Sequence, residues 1–144
     1  MIHRFEDWPA RLGDALAAAA DADTPFEYGK HDCFLVVCDA VLAITGIDLA
    51  ADFRGYVGDA GVQRLLADNG GVAGIAEAMA AKHGIAEIPP GLAQRGDLVI
   101  ILDDKGRETF AIVDLTGAKV CALTYAGGWA TRPVACIERA WRIG

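Results

Sequence analysis

Three residue types that can do chemistry together stand side by side at residues 31–33, where His31, Asp32 and Cys33 precede the most apolar stretch of the chain. That stretch stops at Gly46, so we predict a helix over residues 33–45, with Asp32 as N-cap and Gly46 as left-handed C-cap. A cysteine in the first turn of a helix lies at the positive end of the helix dipole, which favours the thiolate. Cys33 is therefore a candidate nucleophile. The alternative is a cysteine that packs as a small apolar residue, which is the commonest fate of a free thiol.

The predicted helix has one charged residue, Asp39, and nearly every face of it is apolar. A helix that is hydrophobic all round is buried. We therefore expect the rest of the chain to wrap around residues 33–45.

The other elements follow a simple order, with helices before strands. We predict further helices over residues 5–20, 60–68 (capped by Asp59) and 72–83, and then a linker over residues 85–94. Short apolar runs separated by turns predict strands over residues 98–102, 109–115, 119–125, 134–137 and 139–143. This order predicts a single α+β domain over residues 1–144, with the central helix packed on a C-terminal antiparallel sheet.

Two aromatic residues, Phe53 and Tyr56, lie in an irregular segment that follows the central helix. Aromatic side chains beside glycine and arginine can line a groove. The alternative, which we prefer, is that both rings pack on the core and hold the segment in place.

The bulk composition excludes several classes of function. The 144 residues carry a formal net charge of −7, which opposes binding to nucleic acid or to an anionic membrane. The first residues do not resemble a signal peptide, and no apolar run is long enough to cross a bilayer, so we expect synthesis in a cytoplasm and no membrane insertion. The four cysteines have no CxxC spacing, which predicts four reduced thiols, no metal and no cofactor.

Three segments in this order, YGKHDCFLVVCDAV, RGDLVIIL and an apolar strand after a short turn, resemble the NlpC-type group of papain-like cysteine hydrolases. Members of that group cleave peptidoglycan stem peptides. The resemblance covers about residues 26–115 and implies a papain-like fold, with Cys33 as nucleophile and Asp32 as its structural neighbour.

The longer pattern is similar to an uncharacterised, phage-associated branch of the same superfamily. It consists of Tyr28-Gly29 with Asp32-Cys33, Thr45-Gly46, Arg54-Gly55-Tyr56, Asn69-Gly70-Gly71, Gly96-Asp97 and a closing Ala140-Trp141-Arg142-Ile143. The resemblance implies a bacteriophage or phage-derived tail-tip component, located in the virion tail after synthesis in the bacterial cytoplasm. Its implied partners are other tail-tip or hub proteins and bacterial cell-wall peptide.

The sequence departs from this family where the catalytic histidine belongs, near Thr109, because no histidine follows His83. We expect Thr109 to lie close to Cys33 and the thiol to lack an activating base. The favoured hypothesis is thus a degenerate hydrolase in a tail tip. The alternatives are an active hydrolase of peptidoglycan stem peptides, with His31 or a partner's residue as base, and an α+β domain with neither role. The third, orienting group has only Lys119 and Thr124 as candidates.

Overall fold

A computed structural model describes residues 2–21 and 23–144 of the chain. Over these residues four helices come first: α1 (Trp8–Ala19), α2 (Cys33–Thr45), α3 (Gly58–Asn69) and α4 (Gly71–His83). Six strands follow, namely β1 (Glu87–Ile88), β2 (Leu98–Leu102), β3 (Glu108–Val113), β4 (Lys119–Leu123), β5 (Trp129–Pro133) and β6 (Arg139–Trp141). Two 3-10 turns, Pro90–Leu92 and Val134–Cys136, lie between strands. The architecture is α+β, as predicted.

The six strands form one antiparallel sheet in the order β1-β6-β2-β3-β4-β5. Strand β2 lies inside the sheet, between β6 and β3, and four of its five residues are buried. This position explains why its sequence is a continuous apolar run, since both faces of the strand are covered.

Helix α2 is the centre of the domain, and its bounds are those predicted. The Asp32 side chain accepts hydrogen bonds from the backbone N–H groups of Phe34 (3.1 Å) and Leu35 (2.8 Å), and Gly46 ends the helix in the left-handed conformation. Nine of its 13 residues are buried, between α1 on one side and the sheet on the other. The Phe34 ring packs on Phe110 of β3 with 5.1 Å between ring centroids. The predicted burial of this helix is confirmed.

Both ends of the chain are tied to the start of β2 by one buried carboxylate, Asp97. It accepts hydrogen bonds from the side chains of Arg4 (3.2 Å) and Arg142 (3.2 Å) and from the backbone N–H groups of Ile143 (2.9 Å) and Gln94 (2.9 Å). Asp97 is fully inaccessible to solvent, so these contacts replace its entire hydration. The aspartate of the RGDLV segment therefore has a structural role.

Three local predictions are wrong. Residues 134–137 are not a strand, because the chain leaves the sheet after Pro133 and continues as the 3-10 turn Val134–Cys136. The strand β5 was missed, because Gly127-Gly128 forms the turn of a β4–β5 hairpin and does not interrupt the sheet. Asp59 lies in the first turn of α3, whose N-cap position is taken by Val57 without a side-chain hydrogen bond.

The linker predicted over residues 85–94 contains the short edge strand β1, which pairs with β6. Among the helices of the described part of the chain, none combines the length and the apolar character needed to cross a membrane.

Candidate active site around Cys33

Cys33 occupies the first helical position of α2, and its half-buried side chain faces the start of β3. The thiol interacts there with the Thr109 side chain and with the backbone of Phe110. The prediction that Thr109 lies close to Cys33 is confirmed. The contact forms because Phe110 inserts between α2 and the sheet, which brings the first residues of β3 against the helix start.

Burial raises the pKa of the Cys33 thiol above its ordinary value of 9.0, and the nearby Asp32 carboxylate raises it further. The contacts with Thr109 and with the Phe110 backbone act in the opposite direction but do not outweigh burial. The thiol is therefore protonated at neutral pH. Its location at a helix N-terminus favours the thiolate, but desolvation is the larger effect here.

The Asp32 carboxylate is only 1 % exposed, and it is held by hydrogen bonds from four groups. Besides the two N–H groups of the helix start, it accepts from the Gly29 backbone N–H (2.9 Å) and from the Tyr56 hydroxyl. Within residues 2–21 and 23–144, no cation pairs with it. The carboxylate beside the thiol is thus held by neutral donors alone.

Tyr56 connects this cap to the segment before α3. Gly29 approaches the Tyr56 backbone so closely that a Cβ atom at residue 29 would lie 2.1 Å from the Tyr56 carbonyl oxygen, and Gly29 has a φ of +87°. Only glycine fits there. Phe53 packs edge-on against Phe34, with 5.9 Å between centroids, whereas Tyr56 lines a cleft. Both rings pack against the main core, as the preferred alternative predicted, and Tyr56 lines the cleft as well.

The cleft beside Cys33 has a volume of about 550 Å³, a size typical of small-molecule sites. Helices α3 and α4 contribute lining residues without charge, namely Val62, Gln63, Leu65, Leu66, Val72 and Ile75. Apart from Asp32, the charged residues of the lining belong to the β2–β3 hairpin and to β5, namely Asp103, Asp104, Lys105, Arg107, Glu108 and Arg132.

An aromatic cluster of Phe26, Tyr28 and Tyr125 forms one wall of the cleft. Phe26 lies 5.0 Å from Tyr28 and 4.7 Å from Tyr125, measured between ring centroids. The two tyrosine hydroxyls are hydrogen-bonded at 2.8 Å, and burial together with this bond raises the pKa of Tyr28. The Tyr28 phenol is therefore neutral at physiological pH, and the pair of hydroxyls gives this apolar wall a polar edge.

No histidine lines the cleft, as far as the described residues show. His31 pairs its backbone with Glu27 in an isolated bridge outside the cleft lining, and its Nε2 atom is buried without a hydrogen-bond partner among those residues. His83 ends α4, where burial lowers its pKa, and His3 is exposed near the N-terminus. The structure brings Cys33 and Thr109 together, and none of the three histidines is among the residues that line the cleft around them.

Of the two candidates for a third, orienting group, Thr124 lines the cleft and Lys119 does not. The Thr124 hydroxyl donates a hydrogen bond to the Gly127 carbonyl oxygen at 2.9 Å, so it supports the β4–β5 turn. All four cysteines are free thiols, and no group of three or more metal-ligating side chains occurs within the described ranges.

Sequence reasoning missed the hydrogen bond from Tyr56 to Asp32 and the contribution of Tyr125 to the cleft wall. Tyr56 did stand out as an aromatic residue beside a glycine and an arginine, but nothing in its spacing indicated its partner. Tyr125 is 97 residues from the tyrosine whose hydroxyl it bonds, a separation that local patterns do not cover.

The fold and the site define an α+β domain in which a cysteine at the start of a buried helix faces a threonine at the start of a strand, beside an open cleft. Residues 3–143 match the model of a family described as a domain of unknown function (DUF6950), and the chain belongs to this family. A search among curated proteins finds no match.

Proposed function

We propose that the protein is a bacteriophage or phage-derived tail-tip component with a papain-like, NlpC-like fold that has lost hydrolase activity. Its partners would be other tail-tip or hub proteins, and its place would be the virion tail. The sequence resemblance to the phage-associated branch supports the location, and the geometry around Cys33 supports the loss of activity.

The order of elements agrees with a papain-like arrangement. A cysteine opens the central helix α2, the RGDLV segment leads into β2, and the next strand, β3, begins against the helix start. In NlpC-type hydrolases the histidine opens this second strand. Thr109 takes that place here.

The contact between the Cys33 thiol and Thr109 carries the proposal. A threonine hydroxyl does not act as a general base for a thiol near neutral pH, because it neither gains nor loses a proton in that pH range. The pKa of the thiol is raised, and no histidine lines the cleft around it among the described residues. Papain-like hydrolysis needs a thiolate and a proton carrier, so both observations support the loss of activity.

Hydrolase activity is tested by incubating the purified protein with peptidoglycan and identifying released stem-peptide fragments by mass spectrometry. We expect no fragments from the wild type and none from Cys33→Ala. Cleavage by the wild type that disappears in Cys33→Ala would overturn the loss of activity. It would favour the active-hydrolase alternative, which is supported by the location of Cys33 at a helix N-terminus beside an open cleft.

The tail-tip location is tested separately by mass spectrometry of particles purified after induction of the strain that encodes this sequence. We expect the chain to co-purify with tail proteins at a constant ratio across a density gradient. Its absence from intact particles would refute the location and leave the conclusion about hydrolysis unchanged.

A further inference from the structure

Three arginines from distant parts of the chain lie close together at the start of β2, and none of them lines the cleft. Arg4 and Arg142 each pair with one oxygen of the buried Asp97 carboxylate, both at 3.2 Å. Arg4 and Arg95 both lie over the indole ring of Trp8, with their guanidinium carbons 4.2 Å and 5.1 Å from the ring centroid. We call Arg4, Arg95 and Arg142 the arginine cluster.

The arginine cluster carries more positive charge than its ion pairs neutralise. Among the described residues, Asp97 is the one carboxylate that pairs with the cluster, and Arg95 has no ion pair. Burial lowers the pKa of the Arg4 guanidinium, Asp97 opposes this shift, and the charges of Arg142 and Arg95 add to it. The three cations thus repel one another, and a bound anion would relieve this repulsion.

The cluster also has unused hydrogen-bond donors, because each guanidinium has five N–H groups. In Arg4 and Arg142 the Nε and Nη2 atoms bond to Asp97 or to a backbone carbonyl. The Nη1 atoms of these two arginines make no hydrogen bond within the described chain, and neither atom is buried. Arg95 is exposed, and its guanidinium makes no hydrogen bond to the described residues. Donors from all three side chains are therefore free for a ligand.

We propose that the arginine cluster binds the phosphate group of a small molecule. A phosphate group has three or more acceptor oxygens and up to two negative charges, so it can bond to several guanidiniums at once. A carboxylate has two oxygens and one charge. The chain's net charge of −7 repels a phosphate polymer or an anionic membrane, which favours a small ligand. This site does not depend on whether the protein belongs to a tail tip or on whether Cys33 is catalytic.

The test titrates inorganic phosphate into isotope-labelled protein at an ionic strength held constant with sodium chloride. The NMR signal of the Trp8 indole N–H, assigned by its loss in Trp8→Phe, reports binding. We expect this signal to shift and saturate with phosphate, and not to saturate with acetate over the same concentrations.

Two variants decide whether the arginine cluster is the binding site. Arg95→Gln should weaken phosphate binding at least about tenfold, because it removes hydrogen bonds from a charged donor. The matched control is Arg64→Gln, which removes the same charge from an exposed arginine of α3 without an ion pair among the described residues. Its affinity for phosphate should equal that of the wild type.

Thermal melts give a second measurement. Phosphate should raise the melting temperature more in Arg64→Gln than in Arg95→Gln, and this comparison cancels the general stabilising effect of phosphate on folded proteins. Shifts of the indole signal that are alike for phosphate and acetate, or equal behaviour of the two variants, would overturn the proposal. A short oligonucleotide that binds more tightly than inorganic phosphate would overturn the assignment to a small molecule. None of these results bears on peptidoglycan hydrolysis or on particle association.

Discussion

Replacement of Thr109 by histidine should convert Cys33 from a protected thiol into a reactive one. Thr109 lies against the thiol at the start of β3 and lines an open cleft, so an imidazole has room there. A cationic imidazole beside a thiolate stabilises it and lowers the thiol pKa, to between about 3.5 and 7.5 in activated cysteines. The raised pKa of the wild-type thiol should therefore be reversed in Thr109→His.

The magnitude follows from the fraction of thiolate. A thiol at the ordinary value of 9.0 is about 0.1 % ionised at pH 6, and Cys33 has a higher pKa, so it is ionised less. If the imidazole brought the pKa to about 7, the ionised fraction at pH 6 would rise about a hundredfold. Nucleophilicity falls with pKa at a Brønsted slope of about 0.5, which removes about a factor of ten. The net expectation is an alkylation rate at least about tenfold higher at pH 6.

Iodoacetamide labelling followed by peptide mass spectrometry measures this rate at residue 33 alone, and the exposed Cys136 gives an internal reference for an accessible thiol. The matched control is Thr109→Asn, which is polar and similar in size to histidine but does not titrate. We expect the pH midpoint of labelling to fall in Thr109→His and to stay above 9 in the wild type and in Thr109→Asn. A wild-type thiol that reacts rapidly with a midpoint well below 9 would refute the account of this site and would favour His31 as the base. An unchanged midpoint in Thr109→His would show that the scaffold does not hold a cysteine–histidine geometry.

Three further outcomes test the fold. Cys33→Ala should change the free energy of unfolding by less than about 1 kcal/mol in urea titrations, since it removes one half-buried sulfur and gains helix propensity; a loss of several kcal/mol would show a packing role. Asp97→Ala should destabilise the protein by about 3–5 kcal/mol in the same assay, because it removes the buried acceptor of the Arg4 guanidinium and of two backbone N–H groups; a cost below about 1 kcal/mol would contradict this. Stability should fall as the pH rises from 9 to 11, because burial raises the pKa of Cys121 from 9.0 to about 11 in the folded chain, so the unfolded chain binds fewer protons in that range. In thermal melts across this range, the fall in melting temperature should be smaller in Cys121→Ala than in the wild type, and in Cys136→Ala it should equal that of the wild type. Equal falls in all three forms would refute the assignment to Cys121.

The sequence alone determined the parts of the fold that depend on neighbouring residues. The bounds of α2 were predicted correctly, because its N-cap, its C-cap and its apolar surface are all local features. The bounds of β2 were predicted correctly for a similar reason, since a continuous apolar run ends at a turn that contains Gly106. Resemblance to known motifs also indicated which strand start lies against Cys33.

Tertiary structure decided what depends on burial and on distant partners. The strand β5 forms because its register with β4 and the contact of the Trp129 side chain with α1 outweigh the local signal of two glycines. From the sequence, the helix dipole predicts a lowered pKa for Cys33, whereas the missing base predicts a thiol that is not activated. In the structure, desolvation raises the pKa and decides between them. Tyr56 reaches Asp32 across 24 residues, and no local pattern in the sequence indicates that contact. Local patterns record backbone propensity and periodicity, whereas the chemistry of this site depends on which groups lose contact with water.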